Sequence, residues 1–283
     1  MQFELLDSFS IPADPAKANE DAFGAEPEAA VVLDGATWVG EEMLLPGPSD
    51  AAWIAHFGAR RLMAHMRDGD APQSALRHAL ADAEKSYAGL RRRPPKETFE
   101  IPFASMMFVA PDDNGFNAFW FGDCAALVAR PDASAEVIGE AFDKRAAEAR
   151  RVKMLAEAKG LAPAAGMSRA EYLPHLRAAR NKVNSSNGDW LFSPDTHAVD
   201  HVSQCHVEAP AGTLVLLSTD GFLALASDYQ AYDAGGLLRA VEQKGLHALG
   251  VELRALEEGD AEGRRFARLK KSDDATAVLL RLS

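Results

Sequence analysis

The chain has 283 residues, 47% of them hydrophobic, and a formal net charge of −12. That is enough apolar material for a sizeable core, while the acidic balance excludes a broad nucleic-acid-binding surface, which needs clustered Lys and Arg. Cys124 and Cys205 are the only cysteines and form no Cys-x-x-Cys pair, which excludes a disulfide framework and a zinc ribbon. The start of the chain lacks the basic region of a signal peptide and no run reaches membrane-span length, so a cytoplasmic protein with no membrane partner is expected.

Residues 3–11 read as a first strand, which Pro12 and Pro15 break into a loop leading to Asn19-Glu20-Asp21. A second strand is expected at 29–33. After Pro46-Gly47-Pro48, Ser49 or Asp50 can cap a helix on which Ile54, Gly58, Leu62 and Met66 recur every fourth residue. A second helix starts near Asp70 and Pro72, buries Leu76, Leu80, Ala83, Tyr87 and Leu90, and ends in Arg91-Arg92-Arg93. That basic run reads as a solvated helix end favoured by the helix dipole. Strands follow at 101–110, 116–121 and 125–130, with Asp113-Asn114-Gly115 as a hairpin turn.

Residues 140–159 return to helical spacing, and Ser168-Arg169-Ala170-Glu171 has the form of a capping box. Lys144, Arg145, Arg177 and Arg180 help to make this stretch basic, so it reads as a flap inserted at about 140–190 into a single domain of residues 1–283. Beyond the loop at 184–188 come strands at 201–208 and 213–219, helices at 237–245 and 246–256, and a closing strand at 275–282. Helices arrive in pairs rather than alternating with strands. The expected class is therefore α+β, a mostly antiparallel β-sandwich flanked by paired helices in α-β-β-α layers.

Two apolar runs end alike, Val31-Val32-Leu33-Asp34-Gly35 and Leu214-Val215-Leu216-Leu217-Ser218-Thr219-Asp220-Gly221. A carboxylate at the end of a buried strand is costly unless something positive meets it. The glycine after each acid frees the backbone to turn and expose a carbonyl beside the carboxylate. With Asp21 and Asp273-Asp274 next to further apolar segments, these oxygen donors suit hard cations such as Mg²⁺ or Mn²⁺ rather than zinc. His197, His201 and His206 make a zinc set by count, but on a strand His197 and His201 would stand about 13 Å apart. Gly-x-Ser-x-Gly, the P-loop and His-Glu-x-x-His are absent. Cys124 beside Asp123 reads as a small buried filler, since a neighbouring carboxylate raises a thiol pKa.

In order along the chain, Asn19-Glu20-Asp21-Ala22-Phe23-Gly24, Val31-Val32-Leu33-Asp34-Gly35, Phe121-Gly122-Asp123-Cys124-Ala125, Leu216-Leu217-Ser218-Thr219-Asp220-Gly221 and Ser272-Asp273-Asp274-Ala275-Thr276 resemble the motifs of the metal-dependent protein phosphatases of type 2C. The resemblance spans nearly the whole chain. It implies a β-sandwich with two Mg²⁺ or Mn²⁺ ions at one end, a weaker third beside Asp123, and hydrolysis of phosphoserine or phosphothreonine by a two-metal-activated water. Residue by residue, it implies that Asp21 assists the metal shell, Asp34 bridges both ions, the Gly35 carbonyl binds one, and Asp220 and Asp273 complete the set. Asp34 and Asp220 would be catalytic through that water, in a monomer acting on phosphoproteins in signalling.

This chain departs from the family's pattern in its substrate-holding residues. Ala36-Thr37-Trp38 follows the bridging acid, Ala224 stands where a further aspartate is common, and Ala16 stands where an arginine grips phosphate. Lys17 is the substitute expected there, although a point charge cannot make the bidentate fork. Arg264, Arg265, Arg268, Lys270 and Lys271 lie just ahead of Asp273 as further basic residues. Two other readings share the motifs: a phosphatase-like regulatory module of little or no activity, and a phosphatase of a small phosphorylated metabolite.

Overall fold

A computed structural model of the chain describes residues 1–158, 169–263, 265, 266, 268 and 270–283. Ser168 of the expected capping box and Arg264 lie outside these residues. Strands β1 (Phe3–Ile11), β2 (Asp21–Glu26), β3 (Ala29–Gly35), β4 (Ala104–Asp112), β5 (Gly115–Phe121), β6 (Ala125–Ala129), β7 (Ala135–Ile138), β8 (Ser203–Glu208), β9 (Leu214–Ser218) and β10 (Ala275–Leu282) form two five-stranded sheets. One has the order β1-β10-β9-β6-β7 and the other β2-β3-β4-β5-β8. Every pairing within them is antiparallel.

The unbroken apolar runs of the central strands follow from burial on both faces. Ala30 and Val32 of β3, Met107 and Val109 of β4, Val215 and Leu217 of β9, and Val278 and Leu280 of β10 fill the space between the sheets. Their neighbours one residue along face outward, as the two-residue period of a strand requires. Val31, Leu33, Met106 and Phe108 turn to helices α1 (Asp50–Arg67) and α2 (Pro72–Leu90), meeting Ile54, Leu62, Leu76 and Leu80. Ser49 caps α1 by accepting the Ala52 amide at 3.2 Å, and buried Asp50 accepts the amides of Leu44 at 2.7 Å and Leu45 at 3.1 Å.

Helices α3 (Ala141–Ala158) and α4 (Arg169–Arg180) come between β7 and β8. Arg177 and Arg180 of α4 donate to the carbonyls of Val39 at 2.7 Å and Thr37 at 2.6 Å, fastening that helix over the segment after β3. On the other outer face, α5 (Asp220–Ser227), α6 (Ala234–Lys244) and α7 (Leu246–Gly259) cover Leu216, Ala277 and Leu279 with Phe222, Leu237, Val241, Leu249 and Leu253. The result is the expected α-β-β-α layering. No helix among the described residues is long and apolar enough to cross a membrane.

Four local features differ from the sequence expectation. β2 and β7 are additional strands, and α5 turns the end of an apolar run into helix. The strand expected at 201–208 starts at Ser203, and His201, expected to open it, instead ends a 3-10 helix at Thr196–His201. There His197 bonds Asp195 at 3.1 Å and His201 stacks on Trp190 with ring centroids 3.6 Å apart, so each ring is engaged separately.

Candidate metal centre

β2 and β3 pair so that Asp21 stands directly opposite Asp34. Opposed residues of an antiparallel pair point to the same face, and for Asp34 it is the face that carries Ala30 and Val32 into the space between the sheets. β9, in the other sheet, runs out through Ser218 and Thr219 into Asp220, the first residue of α5. Each sheet therefore delivers acids to one end of the sandwich. The Thr219 hydroxyl spans the gap, donating to Asp21 Oδ2 at 2.8 Å and accepting the Thr276 amide at 3.0 Å.

Close packing explains the glycine after Asp34. A Cβ on Gly35 would lie 2.4 Å from the Ala51 carbonyl oxygen and 2.7 Å from that of Glu20, and the Gly35 amide donates to the same Glu20 carbonyl at 2.9 Å. Gly35→Ala is expected to destabilise the protein by roughly 1–3 kcal/mol, because backbone rather than a flexible side chain must yield. Chemical denaturation measures it, and an unchanged midpoint would contradict the packing described.

The consecutive acids 273 and 274 divide their tasks. Asp274 accepts the Ala13 amide at 2.6 Å and the Glu20 amide at 2.5 Å, tying the loop that precedes Asp21 to the start of β10. Asp273 faces the pocket. Its carboxylate pairs with Lys270 at 2.6 Å, and its carbonyl accepts from Arg254 at 2.9 Å, itself held by buried Glu257 at 2.8 Å. Asp123, on the turn between β5 and β6, accepts from the Ser105 hydroxyl at 2.6 Å.

Asp34, Gly35, Asp123, Asp220 and Asp273 line one pocket of about 270 Å³, with Asp21 buried behind them. Lys144, Arg145, Arg180 and Lys270 supply its positive side. Arg145 of α3 makes a fork to Asp228, with Nε at 2.8 Å and an Nη at 2.8 Å, and its other Nη lies 3.9 Å from Asp220. The sequence placed Arg145 only within a basic stretch. Nothing in its local pattern separates it from neighbouring cations; its distinction comes from Asp228, 83 residues away.

Burial pushes the carboxyls of Asp21 and Asp34 well above the usual range, and the surrounding acids push in the same direction. For Asp21 the Thr219 hydrogen bond opposes part of the effect. Asp220 rises to about 7, through burial first and then Asp123 and Asp273, with Arg145 and a hydrogen bond to Asp34 opposing. Burial works against the Lys270 ammonium, but Asp273, Asp34 and Asp220 outweigh it and hold its pKa above the ordinary value. Cys124 is fully buried, and its thiol is pushed up by burial and then by Asp34 and Asp123, as a filler would be.

Asp21 Oδ1 and Asp220 Oδ1 are buried with no hydrogen-bond partner. Such atoms are costly unless something positive meets them. Orphaned oxygens, carboxyls driven toward their protonated form and an oxygen donor set together fit hard divalent cations. Lys17 is not brought to this pocket. It stands 77% exposed on the loop after β1, 3.9 Å from Asp14, because the turn at 12–18 directs it to solvent.

No family model and no curated protein matches this sequence. In structure, the chain is similar over 100% of both lengths to the serine/threonine phosphatase PstP/Ppp of Mycobacterium tuberculosis, with 16% identity and a TM-score of 0.60. It is similar to the PPM Ser-Thr phosphatase MsPP of Mycobacterium smegmatis, determined with cacodylate, over 99% of each chain at 16% identity and a TM-score of 0.58. A PstP catalytic domain in complex with two manganese ions gives 15% identity and a TM-score of 0.56, over 100% of this chain and 99% of that one. The fold is that of the type 2C, or PPM-type, serine/threonine phosphatases. At these identities the likeness is one of architecture.

Proposed function

We propose that this chain is a divalent-cation-dependent phosphomonoester hydrolase acting on phosphoserine or phosphothreonine in proteins. The observation that carries the reading is the pair of orphaned buried oxygens, on Asp21 and Asp220, among acids drawn from both sheets. Asp34, the Gly35 carbonyl, Asp220 and Asp273 would hold two Mg²⁺ or Mn²⁺ ions, Asp21 would support them, and Asp123 would serve a weaker third. When bound, the cations supply an activated water and neutralise charge on the transferring phosphoryl group.

The chain's own residues do the positioning. Arg145, oriented by Asp228, aims its guanidinium at the acid end of the pocket and would take the phosphate-gripping role for which the sequence suggested Lys17. Lys144 and Arg180 line the same wall, so the flap at about 140–190 is proposed as the substrate-facing part of a single domain. Arg145→Lys keeps the charge and loses the fork. It is expected to lower kcat/KM by about 10- to 100-fold, the cost of a charge-assisted hydrogen bond. Steady-state kinetics on a phosphopeptide measures this, and an unchanged value would remove Arg145 from the site.

The direct test is hydrolysis of an aryl phosphate and of phosphopeptides with added Mn²⁺ or Mg²⁺. Activity on small phosphorylated metabolites alone would replace the protein-phosphatase reading. A second reading, a regulatory module, is favoured by one contact, the Lys270 ammonium 2.6 Å from Asp273, because a side-chain cation there offsets part of the acid charge. Calorimetric titration separates the two: absence of Mn²⁺ binding up to millimolar concentration supports the module. Free Cys124 and Cys205 support a reducing, cytoplasmic location, and size-exclusion chromatography tests the proposed monomer.

A further inference from the structure

At the far end of α1 lies a second cluster of ligating side chains. His65 is in the last turn of α1, Asp70 in the connection to α2, and His78 on α2. Both rings aim Nδ1 at one oxygen: Asp70 Oδ2 lies 3.3 Å from His65 Nδ1 and 2.7 Å from His78 Nδ1. The ring centroids are 5.2 Å apart. Among the described residues, this is the set of three His, Cys, Asp or Glu whose donor atoms all lie within 4.8 Å of one another. At 1.5 Å per residue along α1 it is roughly 22 Å from the Asp50 end, where the acids of the sandwich gather.

The partners behind His65 decide what the cluster can hold. His65 Nε2 lies 2.9 Å from Asp82 Oδ2, and Asp82 is fixed by Arg61 Nε at 2.6 Å. Asp82 can only accept there while ionised, so Nε2 carries the proton and a neutral ring presents its Nδ1 lone pair to Asp70. Lone pair would then face carboxylate oxygen at 3.3 Å. That contact is repulsive unless a proton or a cation lies between them. A carboxylate that orients a histidine through its second nitrogen is also the usual support of a metal-binding imidazole.

We propose that His65 Nδ1, Asp70 Oδ2 and His78 Nδ1 bind one transition-metal ion of the Zn²⁺ class, separately from the oxygen-only centre. Two imidazoles and one carboxylate are a borderline donor set that suits Zn²⁺ over Mg²⁺, with water completing four-coordination. With bonds of about 2.0–2.1 Å, tetrahedral donors stand roughly 3.3–3.4 Å apart. The His65 contact has that spacing already, and the His78 contact must open by about 0.6 Å. The ion would staple the α1-α2 connection, beneath which the helix pair packs on Val31, Leu33 and Phe108.

The test uses the full chain carrying Asp34→Asn and Asp220→Asn, which weakens the acid centre, titrated with Zn²⁺ by calorimetry and with Co²⁺ by visible absorption. One equivalent of Zn²⁺ is expected to bind, with the intense visible bands of four-coordinate Co²⁺. Adding His78→Ala, at a side chain 51% exposed, is expected to weaken binding by about 100-fold and erase those bands, since even supporting partners of a ligand cost ~10–100-fold. His78→Gln with an unchanged circular dichroism spectrum should behave alike, and Mn²⁺-dependent turnover of the chain bearing only His78→Ala should stay unchanged. Zn²⁺ binding indifferent to both His78 variants, or absent up to about 1 mM, overturns the proposal and leaves a protonated His65 as the cation between the acids.

Discussion

Asp34→Asn is expected to lower Mn²⁺-dependent turnover of an aryl phosphate by more than about 100-fold, since partners that merely support a ligand already cost ~10–100-fold. Asp34 is the acid through which most of the site communicates. It stands opposite Asp21 on β2, lines the same pocket as Asp220 from the other sheet, and is pushed up after burial by Asp21, Asp220, Asp273 and Asp123. The amide of Asn keeps the shape but gives up one anionic oxygen. Asp220→Asn should behave similarly, whereas Asp274→Asn should act mainly on stability, its carboxylate being occupied by the Ala13 and Glu20 amides. Retained turnover in both Asp34→Asn and Asp220→Asn would refute the two-cation assignment. Loss of folding is not the expected cause, because each substitution relieves repulsion among buried carboxylates.

Metal-free protein is expected to lose stability as pH rises from about 5 to about 7, and saturating Mn²⁺ is expected to abolish that loss. An unfolded aspartate titrates near 3.8, while Asp220 in the folded chain titrates at about 7. Between those values the folded state keeps a proton that the unfolded state has released. The contribution is therefore fully present below the unfolded value and lost as pH climbs through the folded one. Asp21 and Asp34 are raised as well and act in the same sense. One such group is worth on the order of a few kcal/mol, which for a chain of this size lowers the melting temperature by roughly 10 °C.

At the acid end the sign reverses through Glu100, which is lowered to about 2 by its hydrogen bonds from Arg93, assisted by the Lys96 amide and opposed by burial. Its stabilisation exists above its ordinary value of 4.5 and fades as pH falls toward 2. Metal-free stability should thus peak near pH 4–5. Differential scanning calorimetry across pH, with and without Mn²⁺, reads both limbs. A melting temperature that rose from about pH 5 to about pH 7 without metal would contradict the charge arrangement.

The parts legible in the sequence were those carried by local chemistry. β1, the Ser49 cap of α1, the Asp113-Asn114-Gly115 turn and β10 fall where propensity and periodicity place them. β2 was hidden because Asp21–Glu26 has no apolar alternation and is a strand only by pairing with β3. β7 has four residues at a sheet edge, too few to establish a period. α5 continues an apolar run that starts in β9, and in eight residues buried helix and buried strand look alike. At the site, the Asp-Gly pairs could be found because acids interrupting apolar runs are conspicuous. Arg145 could not, because its alignment depends on Asp228 across the fold.

Asp274 has a temporal consequence. Its carboxylate is joined to Ala13 and Glu20, partners 261 and 254 positions earlier in the chain, and its neighbour Asp273 lines the acidic pocket. A chain emerging from the ribosome would make β2 and β3 early, yet it could not fix the loop before Asp21 until residue 274 had been synthesised and had folded back. Contacts of such sequence separation form late. A cation held at the proposed centre would then be captured only after residue 274 had folded back onto the first loop.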